Sequence, residues 1–404
     1  MIYAILNAIL FSSAIIVYWY RRRNFDTYFI VLSAYAVTSI MCAINVYNND
    51  FKWDLTLLPF IFLFIIMLIL LYPYYGFSIE NKRIIIYETN LIKLLINIYI
   101  ISALLSLVLS FDNTILLIQS GEWGSLRNEF YADNNSIKLY DNQIERISKN
   151  ISGYLVHFSI IYLFYLFSKP KLEKKVYIIF LCISLTSISN AMTIASRGMV
   201  VNLILEFVIA FVMFRNIIPV NRLIKLKSML FLCFVFITIY IISVSISRFG
   251  EEEASGSALF YFSHSMLSYN DGLVNEINNY AGGKYFFKWF YDILGYDSSI
   301  NFHELGTHFG SSFITFVGTL YIDFGPYGTI LFAIILSSIL RISFKNQIIK
   351  LSTLTLLLFS ANYFLNGVFV VARGGALTWA MAFFLYFIIK IAEKRIEKYN
   401  KIII

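Results

Sequence analysis

Charge is scarce in this sequence. Only 14% of its 404 residues are Asp, Glu, Lys or Arg, against about 25% in an ordinary soluble domain. That shortage excludes a large soluble domain, because the longest polar interval, Arg248 to Gly310, is only about 60 residues and most soluble domains are longer. Cysteine is as scarce: Cys42, Cys182 and Cys233 each lie in or beside an apolar run. No disulfide framework and no Cys/His pair with metal-ligand spacing can be built from them. A Walker A loop, a GxGxxG turn and an HExxH helix are all missing, as are internal repeats and low-complexity tracts. The first apolar run, Ile2 to Tyr20, has no basic n-region and no small-residue cleavage site, so it reads as a retained helix and not as a cleaved signal.

What the chain does hold is apolar length. Hydrophobic residues make up 59% of it, in runs of about 20 that are each long enough to cross a hydrocarbon layer roughly 30 Å thick. The expected fold is all-α, a polytopic transmembrane helical bundle forming a single integral membrane domain over residues 1–404. About 11 crossings are expected, over 2–20, 27–46, 55–75, 91–111, 151–168, 176–194, 199–214, 229–247, 312–341, 350–371 and 376–390. Two large outer loops, 112–150 and 248–311, interrupt them.

The basic residues set an orientation. With the N-terminus outside and the C-terminus in the cytoplasm, the inner loops and flanks carry 22 Lys and Arg and the outer ones 10. Acidic residues go the other way, six inside and 17 outside, with Glu206 in mid-helix. Such a bias is the signature of membrane orientation. It also accounts for the net charge of +8 without nucleic acid as a partner.

One span is irregular. Residues 312–341 are 30 long, about 45 Å as a straight helix. Counting two crossings there would put Arg341 and Lys345 on the wrong side. The segment is therefore read as one crossing, broken at Asp323-Phe-Gly-Pro-Tyr-Gly328, where proline and two glycines interrupt helical geometry. Irregular backbone at membrane depth occurs where it is buried in protein or lines a wet cavity.

Several polar residues cluster on the outer side. Arg197, Arg248 and Arg373 end apolar spans and have small neighbours: Ser196 and Gly198, Ser247 and Gly250, Gly374 and Gly375. A guanidinium fork suits phosphate oxygens. Interfacial snorkelling is the competing account. Arg127, in the first outer loop, is a fourth candidate for the same anion. The second outer loop carries many tyrosines and phenylalanines and Trp289, which fit either a sugar-stacking surface or an interfacial aromatic belt. His303 and His308 bracket Glu304, and an imidazole titrating near pH 6.5 can take a proton from a sugar hydroxyl. His264 is similar but further from the broken span. Asp323 has two readings, orienting an acceptor hydroxyl or pairing with an arginine. His157 and Glu206, inside spans, read as packed or paired structural groups.

Ala195-Ser-Arg-Gly198, the large loop before the last helices, and Ser312 to Gly328, SFITFVGTLYIDFGPYG, together resemble the Wzy-type O-antigen and capsule repeat-unit polymerases of bacteria. The resemblance covers nearly the whole chain in plan and about 40 residues in motif. It implies a GT-C-like membrane glycosyltransferase in the bacterial inner membrane, embedded in membrane lipid. Its substrates would be undecaprenyl-diphosphate-linked oligosaccharides at the outer face, with a chain-length regulator protein as a further partner. No cofactor and no metal are implied, since the donor is already activated. Arg197, Arg248, Arg373 and Arg127 would hold the diphosphate. His308, His303, Asp323 and Glu304 would be the catalytic candidates, with a histidine as acceptor-side base. The related O-antigen ligases carry a His-Asn pair in the large loop, whereas here His303 precedes Glu304 and His308 precedes Phe309. Ligase and polysaccharide-lipid flippase are the alternative functions.

Orientation is directly testable. Green fluorescent protein fused after Ile404 should fluoresce, and alkaline phosphatase inserted near Asn135 should be active. The opposite pair of results reverses the topology.

Overall fold

We describe a computed structural model of the chain. It covers residues 1–48, 53–75, 77, 83–120, 142–193, 196–307, 314–346, 348–369 and 374–402, without the side chains at 83, 113, 116–118, 120, 248–258, 261 and 398–402. About 80% of the described residues are helical. The helices are α1 (Ile2–Arg22), α2 (Thr27–Asn48), α3 (Leu57–Leu71), α4 (Asn90–Leu109), α5 (Phe111–Ser120), α6 (Gln143–Ser168), α7 (Lys175–Thr193), α8 (Arg197–Phe214), α9 (Val220–Ser268), α10 (Lys288–Ile293), α11 (Thr315–Phe344), α12 (Leu351–Asn366) and α13 (Gly375–Ile402). Two strands of two residues each, Arg83–Ile84 and Ile348–Ile349, are the β-structure of the described residues.

Ten of these helices are long and apolar enough to cross a membrane. This is a multi-pass helical membrane protein, as the apolar runs require. The expected crossing at 350–371 differs. Its helix, α12, has 16 residues, about 24 Å of rise, and nearly all of them are buried. A helix walled in by protein need not match the hydrocarbon thickness.

The chain forms two compact units, each built from separated stretches. Unit 1 holds Met1–Arg83, Ser255–Ile349 and Ser360–Phe383; unit 2 holds Ile84–Ala254, Lys350–Phe359 and Phe384–Ile404. In unit 1, α1 packs on α2 and α3, and α3 on α11. Phe11 stacks on Tyr35 at 5.6 Å, and Phe316 packs against Phe364 at 5.8 Å. In unit 2, α4 packs against α6 and α7, and α6 and α7 against α8. Phe164 meets Phe214 at 6.0 Å and Phe180 meets Phe207 at 6.0 Å.

Polar side chains inside the spans pair between helices, because lipid offers them no alternative partner. In unit 1, Asn7 Nδ2 donates to Ser39 Oγ at 3.1 Å, Asn45 Nδ2 donates to Ser263 Oγ at 2.6 Å, and the Tyr74 hydroxyl donates to Ser360. In unit 2, the Ser110 and Ser189 hydroxyls lie 3.1 Å apart.

Both expected outer loops are partly helical. α6 begins at Gln143 rather than at 151, because the Asn142 side chain accepts from the Glu145 amide at 2.7 Å and caps it. Residues 121–141 of that loop lie outside the described set. α9 runs on past Arg248 to Ser268 and passes into a π-turn, Tyr269–Val274. The polar composition after Arg248 hides this continuation, yet Ser263, Ser265 and Met266 are buried, with Met266 Sδ accepting from Asn7 and Ser39.

The break in the long span is present. Within α11, Gly325 has φ 63° and ψ −169°, a conformation open essentially to glycine alone. Pro326 follows it inside the helix. A Cβ on Gly325 would also meet the Tyr280 ring at 2.6 Å. Gly325→Ala should therefore lower stability by about 1–3 kcal/mol from the backbone alone, with the clash in addition. The thermal midpoint of the purified protein in detergent should fall by several degrees. An unchanged midpoint would mean the break does not depend on this glycine.

Candidate functional site

In unit 1 the break positions a junction of three chain segments. Asp323 is buried, 2% exposed. Its Oδ1 accepts from the Tyr285 amide at 2.9 Å and its Oδ2 from the Phe286 amide at 2.6 Å. The backbone around it adds two bonds, Ala281 N to the Ile322 carbonyl at 2.8 Å and Gly282 N to the Asp323 carbonyl at 3.0 Å. From the other side Gly374 N donates to the Tyr285 carbonyl at 2.8 Å and Ala376 N to the Phe286 carbonyl at 3.1 Å. Segment 285–286 is thus held between Asp323 and the start of α13. The expected roles for Asp323 were a hydroxyl or an arginine partner. The structure shows its carboxylate accepting from two loop amides, which gives it an architectural role in this junction.

His303 and Glu304 attach to the same loop. Asn278 N donates to the Leu305 carbonyl at 2.9 Å, and Asn279 Nδ2 to the Glu304 carbonyl at 3.3 Å. Both side chains are exposed, and Glu304 Oε1 accepts from Asn301 Nδ2 at 2.9 Å. His303, Glu304 and Asp323 are therefore stitched to one stretch, 278–286. His264 is a packed histidine: it stacks on Phe260 at 4.3 Å and lies 3.2 Å from the Ser268 hydroxyl. Burial holds its imidazole below the usual pKa, which keeps it neutral. His308, Arg373 and Arg127 lie outside the described residues.

The glycines flanking the arginines divide. A Cβ on Gly375 would collide with the Tyr363 hydroxyl and stand 2.9 Å from the Phe286 ring, so packing explains that glycine, and ligand approach is not needed to account for it. A Cβ on Gly198 would find only Ser196 Oγ, at 3.9 Å. Space there is open.

Unit 2 holds the other candidates. Arg197 begins α8, where the partial positive charge of a helix start disfavours a cation. Arg197 Nη1 donates to Ser245 Oγ of α9 at 2.8 Å. Arg248 lies on α9 three residues further along, about one turn away. These two arginine positions therefore converge at one end of unit 2, the end assigned to the outer face by charge. Arg197 at a helix start, the α9 turn that bears Arg248 and an uncrowded glycine form an arrangement suited to an anion.

Deeper in unit 2, His157 Nδ1 of α6 lies 3.2 Å from Glu206 Oε2 of α8, and Asn202 Nδ2 donates to Glu206 Oε1 at 3.2 Å. His157 also meets Phe359 edge-on at 5.3 Å. The expectation of structural pairing holds for both residues. Among the described residues no group of three or more His, Cys, Asp or Glu side chains could hold a metal ion.

Sequence reasoning missed Glu145 and Lys149. They form an ion pair of 2.7 Å, with side chains only 1% and 7% exposed, in what the sequence reads as the first large outer loop. The signal was available: Asn142-Gln-Ile-Glu145 has the spacing of a capping box ahead of an apolar run. Comparison with protein-family models, curated proteins and solved structures finds no match to this chain.

Asp323→Asn tests the junction. Asn retains one acceptor but turns an NH₂ toward an amide donor, losing one charge-assisted bond and weakening the other, each worth about 1.5–3 kcal/mol. Proteolysis at 281–300 should become faster than in wild type. Equal cleavage rates would show that the carboxylate does not hold the loop.

Proposed function

We propose that this chain is a membrane glycosyltransferase that polymerises oligosaccharide repeat units carried on undecaprenyl diphosphate, at the outer face of the bacterial inner membrane. The single observation that carries the reading is the convergence of Arg197 with the α9 turn that bears Arg248. A diphosphate leaving group gathers negative charge as the anomeric C–O bond breaks, and preorganised guanidinium groups stabilise that charge. Transfer joins the donor's anomeric carbon to an acceptor hydroxyl oxygen. The hydroxyl proton passes to a base, and the bonding electron pair leaves with the lipid diphosphate. His303 is the exposed imidazole offered for the proton among the described residues, and His308 is the second candidate. Asp323 enters this reading as the group that shapes the loop carrying His303.

A second reading has one observation in its favour. The His157–Glu206 pair joins two helices long and apolar enough to cross a membrane, and intramembrane ionisable pairs occur in proton relays of transporters. A polysaccharide-lipid flippase would use such a pair.

Arg197→Ala and Arg248→Ala should each leave the protein in the membrane and yield surface glycan capped with a single repeat unit. Long-chain glycan in both variants would remove the diphosphate site. Deleting the gene separates the readings: loss of a polymerase leaves single-unit glycan at the surface, and loss of a flippase leaves units facing the cytoplasm.

A further inference from the structure

The buried pair Glu145–Lys149 has no part in the scheme above, and its position calls for one. Two independent measures fix its height in unit 2. The first is the His157–Glu206 contact between α6 and α8. These helices are separated by one crossing, α7, so they run in the same direction. Nine residues before Glu206 is Arg197; nine before His157 is Ser148, next to Lys149. The second measure is α9, which runs antiparallel to α6. Arg222 near its start donates to the Phe167 carbonyl at 3.4 Å and to the Pro170 carbonyl, at the far end of α6. Ser245, 23 residues later, accepts from Arg197. Counting 23 residues back along α6 from 167–170 reaches 144–147, the turn of Glu145, within two residues of Lys149. Arg197, Ser245 and Lys149 therefore lie at one level of unit 2.

Burial there has a physical consequence. Taking a Lys–Glu pair out of water carries a desolvation cost that their attraction must repay, and well-packed apolar residues avoid that cost. Ser148 and Ser152, on the same stretch of α6, are buried too. Polar groups gathered at such expense, at the level of a cation at a helix start, mark a place built for charge.

We propose that Lys149 is a third cation of the outer anion site, binding a diphosphate together with Arg197 and the Arg248 turn, and that Glu145 positions its ammonium. The inference rests on the anion site of the proposed function and adds to it a residue from α6. The ligand chemistry is a diphosphate, from either a polyprenyl lipid or free pyrophosphate.

The test measures binding of inorganic pyrophosphate, and separately of a polyprenyl diphosphate, to the full-length protein in nanodiscs. Lys149→Gln, and the double variant Glu145→Gln/Lys149→Met in which no buried charge is left unpaired, should each weaken binding about 10-fold or more. Lys149→Arg should stay within about 3-fold of wild type, and thermal midpoints should identify any variant that fails to fold. In the wild-type chain, the Lys149 Nζ resonance, assigned by its loss in Lys149→Arg, should shift on adding pyrophosphate. That readout holds even if the charge-removing variants do not fold. If Arg197→Ala weakens binding while the Lys149 variants and resonance do not respond, the inference is overturned and the anion site stands. If wild type binds neither probe, or Arg197→Ala binds both as wild type does, the anion site itself falls, and the inference with it. Binding of the lipid alone assigns the site to a membrane headgroup, and equal binding of pyrophosphate assigns recognition to the diphosphate; either supports the role of Lys149 if its variants lose that binding.

Discussion

Hydrocarbon cannot hydrogen-bond, and the rest of this structure depends on that constraint. Each polar group carried into an apolar span must find a protein partner or stay unsatisfied at a cost of several kcal/mol. Asn7 finds Ser39, Asn45 finds Ser263, Ser110 finds Ser189, and Glu206 finds His157 and Asn202. These bonds are directional, so they fix which helix faces meet, a choice that Leu, Ile and Phe by themselves leave loosely specified. Asp323 is the same constraint at the broken crossing. A helix opened at Gly325 leaves backbone and a buried carboxylate to be satisfied, and the loop 281–286 folds back to satisfy both.

That closure has a functional side. A loop held on Asp323 and on the start of α13 presents His303 and Glu304 on a fixed base. Arg197 is likewise oriented by Ser245. Preorganised groups lose little freedom when a substrate arrives. Unit 1 thus holds a positioned loop, and unit 2 holds an oriented guanidinium.

Legibility of the site varied with the kind of signal. Arg197 was visible because a cation next to an apolar span and beside glycine is conspicuous in a sequence with so little charge. The broken crossing was visible because Gly-Pro within 30 apolar residues conflicts with a straight helix. Asp323 was visible as a carboxylate, but its partners were not, since the amides of Tyr285 and Phe286 lie 38 and 37 residues away and no local pattern encodes them. Glu145 and Lys149 were passed over because polar composition masked helical continuation, although Asn142 and Glu145 carried the capping spacing. The extension of α9 past Arg248 had no comparable signal. Glu251-Glu-Glu-Ala-Ser-Gly256 is polar, and the apolar face that follows becomes meaningful only once α1 and α2 are in place against it.

Composition alone determined that this chain is a multi-pass helical membrane protein, because the free energy of apolar runs in lipid depends on length and content and hardly on neighbours. The position of the interrupted crossing followed from the backbone chemistry of glycine and proline, which is also local. Which polar residues meet was decided only in the folded molecule. Contacts between residues tens to hundreds of positions apart, such as Asn45 with Ser263 or Asp323 with Tyr285, depend on helix rotation and register, and those are set by packing many side chains at once.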